Sequence, residues 1–447
     1  MPERVTVVGG GLAGTEAAWQ LARHGVPVLL YEMRPGACSP AHSTGDLAEL
    51  VCSNSFKGTD PSSATGTLKN ELTALCSVVL EVARRTAVPA GAALAVNREA
   101  FSATLTKLLE AHPLIEIIRE EVTRLPEGRV IIATGPLTSP AMEEALSDLV
   151  GPDRLAFYDA VAPIVDAATT DRSITFAASR YGKGGGADYL NCPLDPNQYA
   201  AFVAELVDAR TVRVHDFEGA DLFQACQPIE EVARSGLNAL RYGALKPVGL
   251  IDPRTGKRPW AVVQLRPENA EGTAYNLVGF QTNLTFGEQR RVFGMIPGLT
   301  AAEFLRYGVM HRNTFIEAPV LLDRTLALRH APKVRMAGQV TGTEGYLEAA
   351  ASGLLAALNT VADLTGAPPV VLPPATALGA LIAYATDSAT TGYQPMHVNW
   401  GLVPPLVPSV RGKRNRYAAY AERAALNLAA WTSAHPLLDE YREGASR

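Results

Sequence analysis

Cysteine is scarce in this chain of 447 residues, and what there is lies scattered. Cys38, Cys52, Cys76, Cys192 and Cys226 form no C-x-x-C pair, and an odd, dispersed set fits free thiols in a reducing compartment better than a disulfide framework. The eight histidines give no H-x-x-x-H and join no cysteine cluster, so no metal is expected. No window offers the roughly 20 uninterrupted apolar residues of a bilayer span. The chain passes from Met1 into a strand within a few residues, without the charged and apolar regions of a secretory signal. A disulfide-stapled, secreted or membrane-integral protein is thereby excluded, and a cytoplasmic one with no membrane partner is expected. Charged residues make up only 19% and the net charge is -5, which rules out a wholly basic nucleic-acid coat; any RNA must be met by a local patch. Internal repeats and low-complexity tracts are missing too. Nothing points to an oligomer, and a monomer is marginally the expectation.

Hydrophobic residues reach 47%, enough for a large core in two or three domains. "RVTVVGGGLAGTEAAWQLARHGVPVLLYEMRP" reads as strand, glycine turn, helix and strand. Val5, Val7 and Val8 form a buried run, Ala17, Ala18, Leu21 and Ala22 recur at helical spacing, and Val28 to Leu30 begin the next strand. Gly9, Gly11 and Gly14 occupy the G-x-G-x-x-G positions, with Gly10, Leu12 and Ala13 between them. In such a turn the first glycine bends the chain, the second admits a pyrophosphate to the backbone, and the third lets helix and strand pack closely. Seventeen residues beyond Gly14 stand before Glu32, an acid at the strand's end able to accept from ribose hydroxyls.

Two later segments favour FAD over NAD in that fold. "RVIIATGP" is an apolar strand running to Gly135, and "VRMAGQVTGTEGYLEAAASGLLAA" is a strand, a glycine-rich turn and a helix. There Gly338, Gln339, Gly345 and Glu348 surround a helix amino end, where amides and the helix dipole suit a phosphate or the electron-rich side of a flavin. With cofactor elements at both ends, the middle reads as an insertion. The expected fold is α/β: a Rossmann-like FAD-binding domain of the glutathione-reductase type with an inserted α/β domain. Its parts fall at 1–155 (FAD-binding, first part), 156–310 (insertion) and 311–447 (FAD-binding, second part).

Beyond the glycine turn, the segments "VVGGGLAGTEAAWQLA", "YEMRP", "LVCSNSFK", "YLNCP", "CQPIEEVA", "LKPVGL", "AVVQLR", "LVGFQTNLTFGEQRRVF", "LRYGVMHRNTF", "AGQVTGTEGYLEAAASG" and "ATTGYQPMHVNWGL" span nearly the whole chain. Together they resemble one family, the folate- and FAD-dependent tRNA (uracil-5-)-methyltransferases, TrmFO. Gln227, the "RPEN" run, His397 and Trp400 depart from that pattern. The resemblance implies that methylenetetrahydrofolate supplies a one-carbon unit, FAD supplies reducing equivalents, and NADH or NADPH recharges it. The acceptor it implies is the T-loop uridine at tRNA position 54, converted to 5-methyluridine.

Carbon 5 of uracil is a poor nucleophile until something adds at carbon 6, and a thiolate suits both that addition and its reversal. In "VCSNSFKG", Ser53, Asn54 and Ser55 offer donors or a helix cap to Cys52, and Lys57 adds positive charge. In "ACQPIEE", Pro228 suits the first position of a helix whose amides would favour an anion near Cys226. The resemblance makes both catalytic: Cys226 adding to uracil and Cys52 standing beside the flavin, or the roles exchanged. For Cys38, Cys76 and Cys192 an inert, buried thiol is the expectation.

Candidate RNA contacts are Arg290, Arg291, Arg306, His311 and Arg312, and the run Arg411, Lys413, Arg414 and Arg416 beside Tyr417 and Tyr420. "YGKGGGADY" is a candidate approach for the nicotinamide dinucleotide, or else a mobile surface loop. Three other readings stay open: a flavoprotein of the related MnmG (GidA) type modifying wobble uridine, a small-molecule flavin oxidoreductase, and an RNA-binding protein without turnover.

Overall fold

The computed structural model describes every residue except 1–2, 40, 52, 152–153, 157–158, 213–226, 268–271, 273, 312–313, 391–392, 394 and 439–447. Its first sheet orders six strands as Ala327–Leu328, Ala331–Met336, Arg129–Ile132, Val5–Val8, Val28–Tyr31 and Ile115–Ile118. All neighbours are parallel except the first pair. Helices cover such a sheet on both faces, so its strands need continuous apolar runs. Val5, Val7, Leu30, Ile131 and Ile132 are accordingly fully buried.

The register aligns the carboxyl ends of these strands. Met336 pairs with Ile132, Ile132 with Val8, Val8 with Tyr31 and Tyr31 with Ile118. The glycine turn, Glu32, Gly135 and Gly338 therefore all emerge along one edge, although sequence puts them more than 300 positions apart. Helix Leu12–Arg23 then packs against helix Tyr346–Thr365. Their approach is so close that a Cβ on Gly353 would fall 2.1 Å from the Ala13 carbonyl oxygen. The Tyr346–Thr365 helix is long and apolar enough to cross a bilayer by composition, yet 83% of its apolar window is buried inside the molecule.

The second sheet is antiparallel and takes its strands from the middle of the chain. Its order is Phe176–Ala177, Leu190–Leu194, Ala261–Pro267, Ala274–Leu277, Ile164–Asp166 and Phe304–Arg306. Helices Pro196–Asp208 and Phe286–Phe293 pack on it around a separate core that includes Phe202, Phe280 and Phe293. Mixed parallel and antiparallel sheets covered by helices make the fold α/β.

A small sheet of Ser55–Gly58, Ala93–Val96 and Ala87–Val88 meets the second sheet at Asn54, which is fully buried. Its amide donates to the Val96 and Pro267 carbonyls at 3.1 and 2.8 Å, and its oxygen accepts from Arg266 at 2.8 Å. The glycine-rich 181–189 stretch is a second seam. The Tyr189 hydroxyl donates to the Ala90 carbonyl, and Gly184 lies against Gly91, where a Cβ would sit 2.4 Å from the Gly91 Cα. This stretch is thus a packed contact with the turn between strands Ala87–Val88 and Ala93–Val96, with Tyr181 seated on Gly249.

Candidate active site

One cavity of about 700 Å³ opens at the aligned strand ends of the first sheet. Gly9, Gly10, Gly11, Leu12, Ala13, Glu32, Gly135, Gly338, Gln339 and Gly345 line it. Gly14 and Glu348 stand just behind the wall. A Cβ on Gly14 would fall 1.8 Å from the Gly9 carbonyl oxygen, so only glycine lets the helix begin this close to the strand. Gly9 has φ +104 and packs on Ala133, where a Cβ would meet the carbonyl oxygen at 2.5 Å. Where a Cβ on Gly11 would point, by contrast, nothing lies within 4 Å.

Two helix amino ends face this cavity, at Gly11 and at Gly345, and neither has a side-chain cap. Uncapped first-turn amides need a partner from outside the helix, and the helix dipole makes an anionic or electron-rich one favourable. No carboxylate occupies the first turn at Gly11. At Gly345, Glu348 does, but its charge is met by the Lys57 ammonium at 2.9 Å. The residues present therefore fit a dinucleotide whose pyrophosphate and ring system each sit at a helix end.

Glu32 departs from its expected role as an open acceptor. Its carboxylate receives the Gly10 amide at 3.0 Å, the Arg34 amide at 3.0 Å, and Arg34 Nε and a terminal guanidinium nitrogen at 2.8 and 3.2 Å. These four bonds use the roughly four lone-pair positions a carboxylate has. Burial pushes the Glu32 carboxyl up, but the bonded Arg34 guanidinium, with the two amides, outweighs it and holds the group below the ordinary carboxylate value. Arg34 itself is only 2% exposed and also pairs with Glu49 at 2.9 Å. Sequence reading passed over Arg34; a basic residue two positions beyond the acid was the available signal.

Both expected catalytic cysteines, Cys52 and Cys226, lie outside the described residues, as does Arg312. Their neighbours correct several expectations. Ser53, Asn54 and Ser55 cap no helix, because the chain enters strand Ser55–Gly58. The Ser53 amide donates to the Tyr346 hydroxyl at 2.9 Å, and that hydroxyl donates to the Ser53 carbonyl at 2.8 Å. The chain beside position 52 is thus pinned to the helix that lines the cavity. Lys57 is committed to Glu348 and is not an unpaired charge. Pro228 serves as the N-cap of the short helix Ile229–Arg234, whose first turn carries Glu230 and Glu231 and so opposes a second anion. Cys192 is buried and its thiol is pushed up by burial, while Cys76 is half-buried and Cys38 exposed.

Of the candidate RNA contacts, Arg411, Lys413, Arg414 and Arg416 are exposed around the start of helix Lys413–Ala434, and Tyr417 one position on lines the cavity. Tyr420 is buried, stacked on Trp400 at 5.2 Å, and does not present a face to bases. Trp400 and His397, two positions that depart from the family pattern, also line the cavity. Burial pushes the His397 imidazole down, and the Lys57 charge pushes it the same way. Arg291 is tied to Glu205 and Glu288, whereas among the described residues Arg290 bonds the Tyr307 hydroxyl alone. Among the described residues no group of His, Cys, Asp and Glu could hold a metal ion.

The family model described as "Glucose inhibited division protein A" matches residues 4–368. A methylenetetrahydrofolate--tRNA-(uracil-5-)-methyltransferase TrmFO of Heliobacterium modesticaldum is 56% identical over 425 residues, covering 95% of this chain and 97% of that one. Its namesake in Geobacter sulfurreducens is 55% identical over 432 residues, covering 96% and 99%. Among solved structures, Aquifex aeolicus GidA superposes with a TM-score of 0.70 at 18% identity, over 99% of this chain and 75% of that one, a likeness of fold. With more than half its residues identical to these relatives over nearly its full length, the chain belongs to the TrmFO family, within the broader Glucose inhibited division protein A family.

Proposed function

We propose that this protein is a methylenetetrahydrofolate-dependent, FAD- and NAD(P)H-using methyltransferase that forms 5-methyluridine at position 54 in the T-loop of tRNA. The observation that carries this reading is the 56% identity to a relative of that name over 95% of the chain. The cavity supports it. Residues 1–155 and 311–447 form a Rossmann-like FAD-binding domain and residues 156–310 an insertion, a division that agrees with which strands each sheet draws on.

In this reading the uncapped amides at Gly11 bind the FAD pyrophosphate, while the Tyr346 helix end meets the electron-rich side of the ring. Glu32 takes a ribose hydroxyl by exchanging one of its Arg34 bonds, which leaves the guanidinium anchored on Glu49. Bound there, FAD supplies the reducing equivalents that NAD(P)H delivers. The Tyr346 hydroxyl fixes the backbone of Ser53, the residue after Cys52 in the chain, at the wall of the same cavity. A cysteine thiolate, Cys226 or with roles exchanged Cys52, adds its electron pair to carbon 6 of the uracil and makes carbon 5 nucleophilic. Carbon 5 then bonds to the methylene carbon and loses its proton as the bond from that carbon to nitrogen breaks. A hydride equivalent, which reduced FAD would supply, turns the resulting exocyclic methylene into methyl as the thiolate departs and the ring double bond re-forms. The T-loop base must leave its stack to reach this depth. Arg411, Lys413, Arg414 and Arg416 at the rim, with Arg290 and Arg291 on the insertion and Arg312 just beyond it in the chain, meet the RNA phosphates.

The test is incubation of the purified protein with unmethylated tRNA, labelled methylenetetrahydrofolate and NAD(P)H, followed by nucleoside analysis. Label in T-loop 5-methyluridine is expected. Cofactor oxidation without labelled RNA, RNA retention without turnover, or label at the wobble position would each defeat the proposal.

A further inference from the structure

Five aromatic rings form a column from the core of the second sheet to the surface. Phe280 and Phe293, both fully buried, meet edge to face at 5.2 Å, and Phe304 lies 6.4 Å beyond Phe293. The geometry then changes to parallel stacking. Phe304 and Tyr307 lie 5.4 Å apart with planes 11° from parallel, and Tyr307 and Phe286 lie 4.9 Å apart at 16°. Phe286 ends the column and is 56% exposed. Beside it, nothing lies within 4 Å of where a Cβ on Gly287 would point.

A flat ring held on a rooted stack, with open space next to it, has lost its freedom before any ligand arrives. Such a surface suits another planar π-system, and every nucleobase has a face to offer. The charge next to it favours a nucleic acid. Arg290 is exposed and gives two of its five N–H donors to the Tyr307 hydroxyl, at 3.2 and 2.9 Å. It has no carboxylate partner among the described residues, which leaves donors for a phosphate.

Strand register measures the distance to the cavity. Arg266, in the cavity wall, pairs with Asn276, Asn276 with Ile164, and Ile164 with Arg306, between Phe304 and Tyr307. Three strand spacings of roughly 4.8 Å put the column roughly 14 Å from Arg266. Stacked nucleotides rise roughly 3.4 Å each, so about four of them cover this span.

Resting on the function proposed above, we infer that Phe286 is a stacking platform for an unpaired base of the tRNA, a few nucleotides from the uridine that enters the cavity, with Arg290 holding the adjoining phosphate. Removing a base–aromatic stack costs at least about fivefold in affinity. Phe286→Ala and Phe286→Leu should therefore raise both Kd and KM for unmethylated tRNA by that factor. Turnover at saturating tRNA and NAD(P)H oxidation without tRNA should not change. Phe286→Leu still covers Tyr307 but lacks a ring, so it separates stacking from packing. Phe286→Trp should restore binding, and tRNA should quench its added fluorescence relative to the native protein. Native tRNA affinity in Phe286→Leu, or no extra quenching in Phe286→Trp, overturns the inference. So does a dimer that dissociates in Phe286→Ala while tRNA binding holds, which would make this face a contact between two copies. Filter binding requires no methylation: if native protein binds tRNA but transfers no label, the function proposal fails while the platform is still decided by the variants.

Discussion

Where the cavity meets the strand ends of the first sheet its wall is largely backbone, and where it meets the second sheet its wall is a side chain. The backbone wall is made of glycines, helix-end amides and strand ends, all brought level by parallel register. The other wall is Arg266, held by Asn54, in a sheet that also buries Asn191, Gln264 and Asn276. A dinucleotide presents the same pyrophosphate in every protein, so amides at fixed spacing are enough to bind it. A folded RNA presents a shape, and meeting it takes side chains gathered from several strands.

The largest effect is expected where the backbone wall is least tolerant. In Gly14→Val the new Cβ must displace either the Gly9 carbonyl or the start of helix Leu12–Arg23. Either shift moves the amides that hold the pyrophosphate, at a cost above about 4 kcal/mol, the range reserved for severe core disruption. Protein that still folds should emerge with little flavin, read as flavin absorbance per chain. Full flavin content would show that the close helix approach is dispensable.

This contrast explains what could be read without coordinates. The glycine turn, Glu32, Gly135 and the 338–345 turn are local patterns, each interpretable from its own dozen residues. Their convergence on one cavity follows from ordinary parallel connection. The saturation of Glu32 by Arg34 was less visible, since it depends on one side chain folding back over two residues. The aromatic column was not legible at all. Phe286 and Phe293 share one helix, Phe304 lies on a strand, and Phe280 and Tyr307 lie in the connections beside them, so no single period in the sequence links all five. Tyr420 was misread for the same reason: its place beside a basic run suggested exposure, and only the fold sets Trp400 over it.

A smaller effect should separate charge from shape within the backbone wall. Arg34→Met removes the guanidinium from a buried pair and leaves the Glu32 carboxylate with two amides, at a cost of about 3 kcal/mol at neutral pH. The pH dependence has a definite sign. In the native protein the Glu32 carboxyl is held below its ordinary value, so its contribution is complete above the unfolded value and is lost as pH falls through the folded one. Without Arg34, burial dominates and raises the folded value, so acidification relieves the variant. The stability gap between native and variant, from denaturant unfolding, should be widest near neutrality and narrow toward acid. A gap independent of pH would mean that Arg34 acts through packing alone.

The smallest effect per residue belongs to the basic run, and it should distinguish the two walls by salt. Arg411, Lys413, Arg414 and Arg416 are exposed at the amino end of helix Lys413–Ala434, where the dipole already places positive charge. Each cation there is unfavourable by about 0.3–1 kcal/mol, a standing cost that an anionic partner would offset. Replacing all four by Gln should therefore raise the melting temperature slightly while weakening tRNA binding. For every phosphate no longer neutralised, the slope of log affinity against log salt should fall by about 0.7–0.9, so the quadruple variant should lose about three units of slope. Flavin retention should stay level over the same salt range, because buried amides hold the dinucleotide out of reach of screening ions. An unchanged slope for tRNA would move the phosphate-binding cations off this helix and onto the insertion, around Arg290 and the Phe286 ring.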